Sequence, residues 1–437
     1  VGAGLSGLSC ALELQRAGRD FLLLEAAPQV GGRQRTARRE GFTLDHGFQV
    51  VLSSYRTVGE VVDVAALQPR WFESGALIHH SGKISRLASP LENPLVAIAG
   101  DALPVGDKIR LARLGAEVLL SSDRALLDAC ASTSDLSTRE FLLRRGFSDE
   151  FLSRFAQPFF GGVLLDNELS TSSALFRYYL KKFSTGRAWI PAGGIQALPE
   201  SIAAQLPPQK IRLNTKVIAI DGDRMILESG EILEAPVLLS TVPAHTFSSL
   251  PMEFAQKLAA TLDGITHPPV AMVFMGFDKP PGGIDRDGFG FLVPAKENRQ
   301  ILGCIWSSSI FQGRTPAGGA GLTTFVGGSR QPDLARLNDS DLGALVLGEL
   351  RALMGVTATP SLVAVQKWEK AIPQYRVGYG ETMEAISSFE NDTPGFFVSG
   401  NFRGGIAVPD CVKQSRAMAD RISGFLSSRS VNTTQTQ

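Results

Sequence analysis

The sequence predicts an α/β fold: a parallel-sheet domain assembled from separated segments, with an inserted α+β domain. Three observations predict it. The chain opens on "VGAGLSG", with Gly2, Gly4 and Gly7 in G-x-G-x-x-G spacing. A helix-period segment, a short apolar strand and an acid follow in register. Far downstream, "FFVSGNFRGGIAVPD" repeats the order strand, glycine loop, helix, and the stretch between mixes helical and strand-like runs.

In "LSCALELQRAG", Leu8, Ala11, Leu12 and Gln15 recur at helical spacing, and Gly18 stands where a C-terminal cap belongs. "FLLLE" reads as a buried parallel strand ending in Glu25. Each part has a physical task. Gly2 allows a tight turn, and Gly4 lets backbone N–H groups approach a pyrophosphate. Gly7 lets the helix pack on the strand, while the helix start, with Ser6 in its first turn, offers partial positive charge. Glu25, 18 residues after Gly7, is placed to accept hydrogen bonds from a ribose. These features together read as a Rossmann-like dinucleotide site.

"EAAPQVGGRQRT" follows, with Gly31-Gly32-Arg33 shortly after the acid. It resembles the second signature of the flavoprotein group that contains amine oxidases, protoporphyrinogen oxidases and carotenoid desaturases. The resemblance implies FAD, held non-covalently, with the paired glycines close to it and Arg33 near its phosphates and the flavin entrance. It also implies a Rossmann-like FAD-binding domain of the glutathione-reductase-2 type. A surface basic loop is the alternative for Arg33, since Arg35, Arg38 and Arg39 follow.

The resemblance recurs along the chain. "FTLDHGFQVVLSSY" looks like the segment that runs beside the flavin into the substrate cavity. Its Asp45-His46-Gly47 is nearer the phytoene-desaturase-like branch. Gln49 is then either a polar side chain near the cavity or a buried amide bonded to backbone. Arg86, in "GKISRLASP", lies where protoporphyrinogen oxidases carry a basic group for a propionate; a surface Arg is the alternative.

Residues 80–190 read mainly helical. Ile109, Leu111, Leu114, Val118 and Leu119 fall at roughly helical spacing, and Ser137 and Glu140 have capping-box spacing. The resemblance implies a helical lid over a hydrophobic cavity and a peripheral membrane contact; ordinary amphipathic helices account for the same periodicity. Pro191 to Gly194 turn into a helix that returns the chain to the first domain. "KIRLNTKVIAIDGDRMILESGEILEAPVLLSTVP" reads as strands with turns at Asp221-Gly222 and Ser229-Gly230. The resemblance gives Val217 a backbone contact to the adenine.

Residues 246–385 read as a substrate sheet with one helix, "NDSDLGALVLGELRALMG", closed by Gly355. Tyr375, in "AIPQY", is placed either on the cavity or in the core. In the closing motif, Gly400 and Asn401 end a strand and Pro409 opens a helix. By resemblance, backbone N–H groups near Val408 face the pyrimidine edge of the flavin. Asn401 stands where many relatives have Asp, so the contact carries no charge. Cys411 reads as a packing residue rather than a redox thiol or flavin link. The expected FAD-binding domain is thus 1–80, 191–245 and 386–425. The substrate and lid domain is 81–190 and 246–385, with a disordered tail at 426–437.

Composition sets outer bounds. Lys+Arg and Asp+Glu both total 43, so bulk charge gives no reason to expect nucleic acid. Four scattered cysteines suit a reducing compartment and no disulfide framework. His79-His80 lacks an acidic or Cys partner at ligand spacing and reads as a surface pair, so no metal is expected. No apolar run has the length of a membrane span. The start at Val1 leads us to expect that an initiator, half a strand and any targeting peptide precede it. The default compartment is cytoplasmic, with an organelle as the alternative.

The chemistry implied by the resemblance is transfer of a hydride equivalent from a hydrophobic substrate to flavin N5. Protoporphyrinogen oxidation fits best; carotenoid desaturation and amine oxidation are the alternatives. A reading of a different class is a binding protein such as the Rab GDP-dissociation inhibitors, which resemble this fold without flavin catalysis.

Overall fold

The opening glycine loop is the centre of a parallel layer. In the computed structural model, Gly2 N–H donates to Leu24 O at 2.7 Å and Thr241 N–H to Val1 O at 2.9 Å. Val1–Gly2 therefore lies between strand Leu23–Leu24 and strand Leu238–Ser240. Outside them, Leu23–Leu24 pairs in parallel with Ile211–Arg212, and Leu238–Ser240 with Phe396–Val398. Residues 1–47, 49–72, 75–80, 83–88, 103–282 and 290–434 are described, without the side chains of 75–77, 79, 80, 83–88 and 430–434.

One face of this layer is covered by two helices. Helix Leu5–Arg16 buries Cys10 and Leu14 against Met418, Ala419 and Ile422 of the closing helix, Val408–Thr434. Ser415 Oγ donates to Ser6 O at 2.8 Å, tying the two helix starts together. A three-stranded antiparallel ribbon, Val217–Asp221, Arg224–Leu227 and Ile232–Glu234, sits beside the layer, with its turns at the two expected Gly positions.

Among the described residues a second sheet has seven strands. Their order is Leu362–Trp368, Val270–Phe277, Ala320–Gly327, Gly303–Ile305, Gly290–Leu292, Gly75–His80 and Lys83–Ala88. All eight residues of Val270–Phe277 are buried because both faces are covered. Ala271, Val273 and Met275 pack under helix Asp339–Met354 through Leu342, Val346 and Leu350. Val270 and Met272 face the other way, into a cavity.

The third part is helical: Val105–Leu120, Asp123–Asp128, Thr138–Arg144, the run from Asp149 to Leu164, and Ser173–Thr185. The Ser137–Glu140 capping box is present in both directions. A π-helical turn, Leu152–Ala156, lies inside the run. It sits in a chain of stacked and edge-on rings that includes Phe151, Phe155, Phe159 and Phe160.

Three expectations need correction. Lys83–Ala88, inside the range 80–190 that reads mainly helical, is a strand paired antiparallel with Gly75–His80, and the expected boundary at 80/81 falls between the two. The pair's place in the sheet comes from parallel pairing of Leu77 and Ile78 with Phe291 and Leu292, a partner that local periodicity does not reveal. The boundary at 385/386 falls inside helix Tyr379–Asp392. The tail expected to be disordered continues the closing helix to Thr434. Ser427 Oγ accepts from Arg19 and Arg429 reaches Pro236 O, so its start has tertiary partners that composition does not show.

Candidate functional site

The parallel layer, the ribbon, the second sheet and the helices enclose one large cavity of about 2120 Å³. That is more than twice the roughly 300–1,000 Å³ of ordinary small-molecule sites, room for a dinucleotide and a second molecule. Gly2, Gly4, Ser6, Glu25, Gly31, Gly32 and Arg33 line one end. Val217, Gly400, Asn401, Val408 and Gln49 also border the cavity.

The opening loop is shaped for close approach. A Cβ on Gly7 would land on the Gly2 carbonyl oxygen, so only glycine lets the helix start this close to the strand. Gly32 has φ +57°, and a Cβ there would stand 3.2 Å from Gly4 Cα. The cradle therefore presents bare backbone. Gly4 caps the first helix without a side chain. Among the described residues the Leu5 and Ser6 N–H groups have no acceptor, which leaves donors for a phosphate.

Glu25 is pinned. Its Oε2 accepts from Ala3 N–H at 2.7 Å and its Oε1 from Ala27 N–H at 2.9 Å. Each carboxylate oxygen keeps a lone pair for an incoming hydroxyl. Arg33 is pinned on one side only, donating through Nη1 to Ala371 O at 2.7 Å. Burial pushes its pKa below the ordinary value, and no carboxylate pairs with it among the described residues. A buried cation with free N–H groups suits a diphosphate. These groups fit an adenine dinucleotide.

Beside the opening loop, the closing helix also points its first turn at the cavity. Ile406, Ala407, Val408 and Pro409 line it. Cys411 is also there, and burial raises its thiol to about 11, so it stays protonated and packs. Gln49 combines both alternatives: its Nε2 reaches Arg33 O at 3.5 Å, while its buried Oε1 borders the cavity without a partner. Gln34 has the same feature, a buried and unpartnered Oε1 on the cavity. Sequence reading passed over Gln34, although it stands directly after Arg33.

Two substrate assignments fare differently. Tyr375 does not border the cavity. It is buried, stacked on Tyr379 with centroids 3.9 Å apart, and bonds Asn401 O and Gly405 N behind the closing loop. Arg86 lies opposite Leu77 in the hairpin, and its side chain is outside the described residues. The His79-His80 side chains are outside them too.

A model of the flavin containing amine oxidoreductase family matches residues 5–423. The chain belongs to that family. The flavin oxidoreductase is similar to protoporphyrinogen oxidase 2, chloroplastic/mitochondrial, of Arabidopsis thaliana, at 27% identity over 98% of this chain and 94% of the relative. It is also similar to coproporphyrinogen III oxidase of Bacillus subtilis (strain 168), at 23% identity over 95% of this chain and 96% of the relative. Its fold matches a solved protein from Exiguobacterium sp. 255-15, provisionally named a protoporphyrinogen oxidase. There the TM-score is 0.76, the identity 23%, and 97% of each chain is covered.

The cofactor of this flavin oxidoreductase is FAD, and the protein is an enzyme. FAD supplies the electron-accepting centre when bound. The chain's own residues orient and enclose it. Beyond the cofactor end, the cavity wall is apolar: Met272, Phe291, Phe325 and Trp368 on the sheet side, Phe159 and Leu180 on the helical side. Trp368 is fixed by donating Nε1–H to His46 O at 2.6 Å. Such a wall is an apolar surface beside the cofactor end that disfavours water.

The positions at helical spacing in helix Val105–Leu120 divide. Leu114 and Val118 are buried, whereas Ile109 and Leu119 are 51% and 47% exposed and border the cavity. Their period was readable; which side of the helix faced a ligand space was not. No helix among the described residues is long and apolar enough to cross a membrane.

Proposed function

We propose that this flavin oxidoreductase dehydrogenates a porphyrinogen-type tetrapyrrole, most like protoporphyrinogen oxidase. The observation that carries the reading is the end-to-end similarity to relatives named for that substrate class. The apolar chamber supports it. The space between the sheet wall and the helical wall has room for a macrocycle. The chain's role is to hold the substrate carbon against the flavin, keep water out and let the proton leave to solvent or a weak base.

The lining also supports a second reading, a neutral polyene as in carotenoid desaturases, because the inner wall is so apolar. Anaerobic mixing of the FAD-loaded protein with protoporphyrinogen, a carotenoid precursor or an amine tests both. Bleaching of the oxidised flavin by protoporphyrinogen supports the first reading, and bleaching only by another candidate rejects it. For partners, we infer a peripheral lipid contact through Val105, Ile109 and Leu120, which are 72%, 51% and 90% exposed. Co-sedimentation with vesicles, lost when all three become Ser, tests it.

A further inference from the structure

The chain's five tyrosines cluster beside the closing loop, and two of them, Tyr55 and Tyr179, also border the cavity. Tyr178 OH donates to Asp410 Oδ1 at 2.6 Å and Tyr179 OH to Asp410 Oδ2 at 2.9 Å. Tyr375 OH receives Gly405 N–H at 3.2 Å, and Tyr379 OH donates to Phe402 O at 2.8 Å. Tyr55 stands edge-on to Tyr178, with centroids 6.3 Å apart. These residues come from three places in the chain, so sequence proximity does not explain their assembly.

The assembly has a definite effect on the loop backbone. Gly405 N–H goes to Tyr375, Ile406 N–H to Tyr179 at 2.7 Å, and Ala407 N–H to Asp410 Oδ2 at 3.1 Å. Three consecutive amides are turned to the back. The next, Val408 N–H, has no acceptor among the described residues, and Val408 borders the cavity. Pro409 has no N–H to offer. Asp410 itself is fully buried in the first turn of the closing helix.

We propose that Asp410 is a positioning residue that sets the reduction potential of the bound FAD, acting through the Ala407–Val408 backbone and gripped by Tyr178 and Tyr179. A carboxylate here weakens the positive end of the helix that faces the cavity. Electron acceptance by the cofactor is then harder with Asp410 ionised and easier with it neutral. Burial raises the Asp410 pKa to about 6, although Tyr178, Tyr179, Ala407 N–H and Lys413 all favour the charged form. The other groups facing this cluster are Cys411 on the same helix, Tyr375 and Tyr55. Across Tyr178 lie Lys182, whose Nζ is 5.4 Å from its ring centroid, and Asp123, paired to Lys182.

The role requires FAD and no particular substrate, so dithionite and a reference dye replace the substrate in the test. The holoenzyme and Asp410→Asn are titrated anaerobically at pH values on both sides of about 6. The expected result is a more positive potential for Asp410→Asn above that pH, with the gap closing below it. Equal potentials throughout, or a gap that ignores pH, overturn the proposal. If Asp410→Asn fails to hold FAD, Tyr178→Phe is titrated instead. Losing one donor to the carboxylate moves the bend in potential against pH upward, and an unmoved bend overturns the proposal.

Discussion

Arg314 Nη1 lies 2.5 Å from Asp45 Oδ2, and the two side chains are only 4% and 13% exposed. The pair joins the loop before strand Ala320–Gly327 to strand Phe42–Asp45. Three further contacts hold the pair, while Arg314 Nε is buried without a partner among the described residues. Arg314 Nη2 donates to Pro191 O at 2.9 Å, and Asp45 Oδ1 receives Thr36 Oγ1–H and Ile195 N–H.

Removing one partner leaves a buried charge without compensation, which costs about 3–5 kcal/mol. Arg314→Met should therefore lower the thermal midpoint clearly. Arg314→Met combined with Asp45→Leu should recover part of the loss. Thermal melts of the FAD-loaded variants check this, and additive losses would show that the pair is not coupled.

The opening loop makes a steric prediction. Gly7→Ala places a methyl against backbone that has no side chain to move, so the cradle must open and FAD retention should fall. Overpacking of this kind costs about 1–3 kcal/mol. Gly348→Ala, on an exposed helix position with open space around it, should instead gain about 0.5–1 kcal/mol. Flavin content per chain and melting midpoint distinguish the two.

Glu25→Ala tests the ribose end. The carboxylate is held by two backbone donors before any ligand arrives, so little ordering is needed on binding. Loss of a charge-assisted hydrogen bond costs roughly 1.5–3 kcal/mol, which is roughly tenfold to hundredfold in Kd. FAD titration of the deflavinated protein reads this directly, and an unchanged Kd would remove Glu25 from the site.

Acid stability should depend on Glu390. Burial works to raise its pKa, but hydrogen bonds from Arg403, Val398 N–H and Arg421 outweigh it, and the net pKa lies below the ordinary 4.5. A lowered folded pKa stabilises the protein above the unfolded value, and that stability is lost as pH falls through the folded value. Glu390→Gln should thus cost about 3–5 kcal/mol at neutral pH, since two arginines lose their partner. The difference from wild type should shrink below about pH 4.5. Melting midpoints across pH check both halves.

Much of the cofactor end was legible because its requirements are local. A glycine loop, a helix start and an acid at fixed spacing each follow from short-range sterics and backbone donors. Gly31-Gly32-Arg33 was legible only through its resemblance to the flavoprotein signature. The strand pair Gly75–His80 and Lys83–Ala88 was not, since it is completed by partners about 200 positions away and edge pairing leaves no local period. Tyr375 was ambiguous from sequence because an aromatic after a loop suits a cavity wall and a core equally; stacking on Tyr379 decided it.

By itself, then, the sequence pointed to a dinucleotide loop through glycine sterics and a helix end, and to the family and FAD through its resemblance to flavoproteins. Tertiary structure alone decided which side chains face the ligand space and which support the backbone behind it. Gln34 and Gln49 turn unpaired amide oxygens to the cavity, while Asp410, Tyr179, Tyr375 and Tyr379 bond the closing loop and Tyr178 holds Asp410. That division depends on packing between segments hundreds of residues apart, and no short-range pattern carries it.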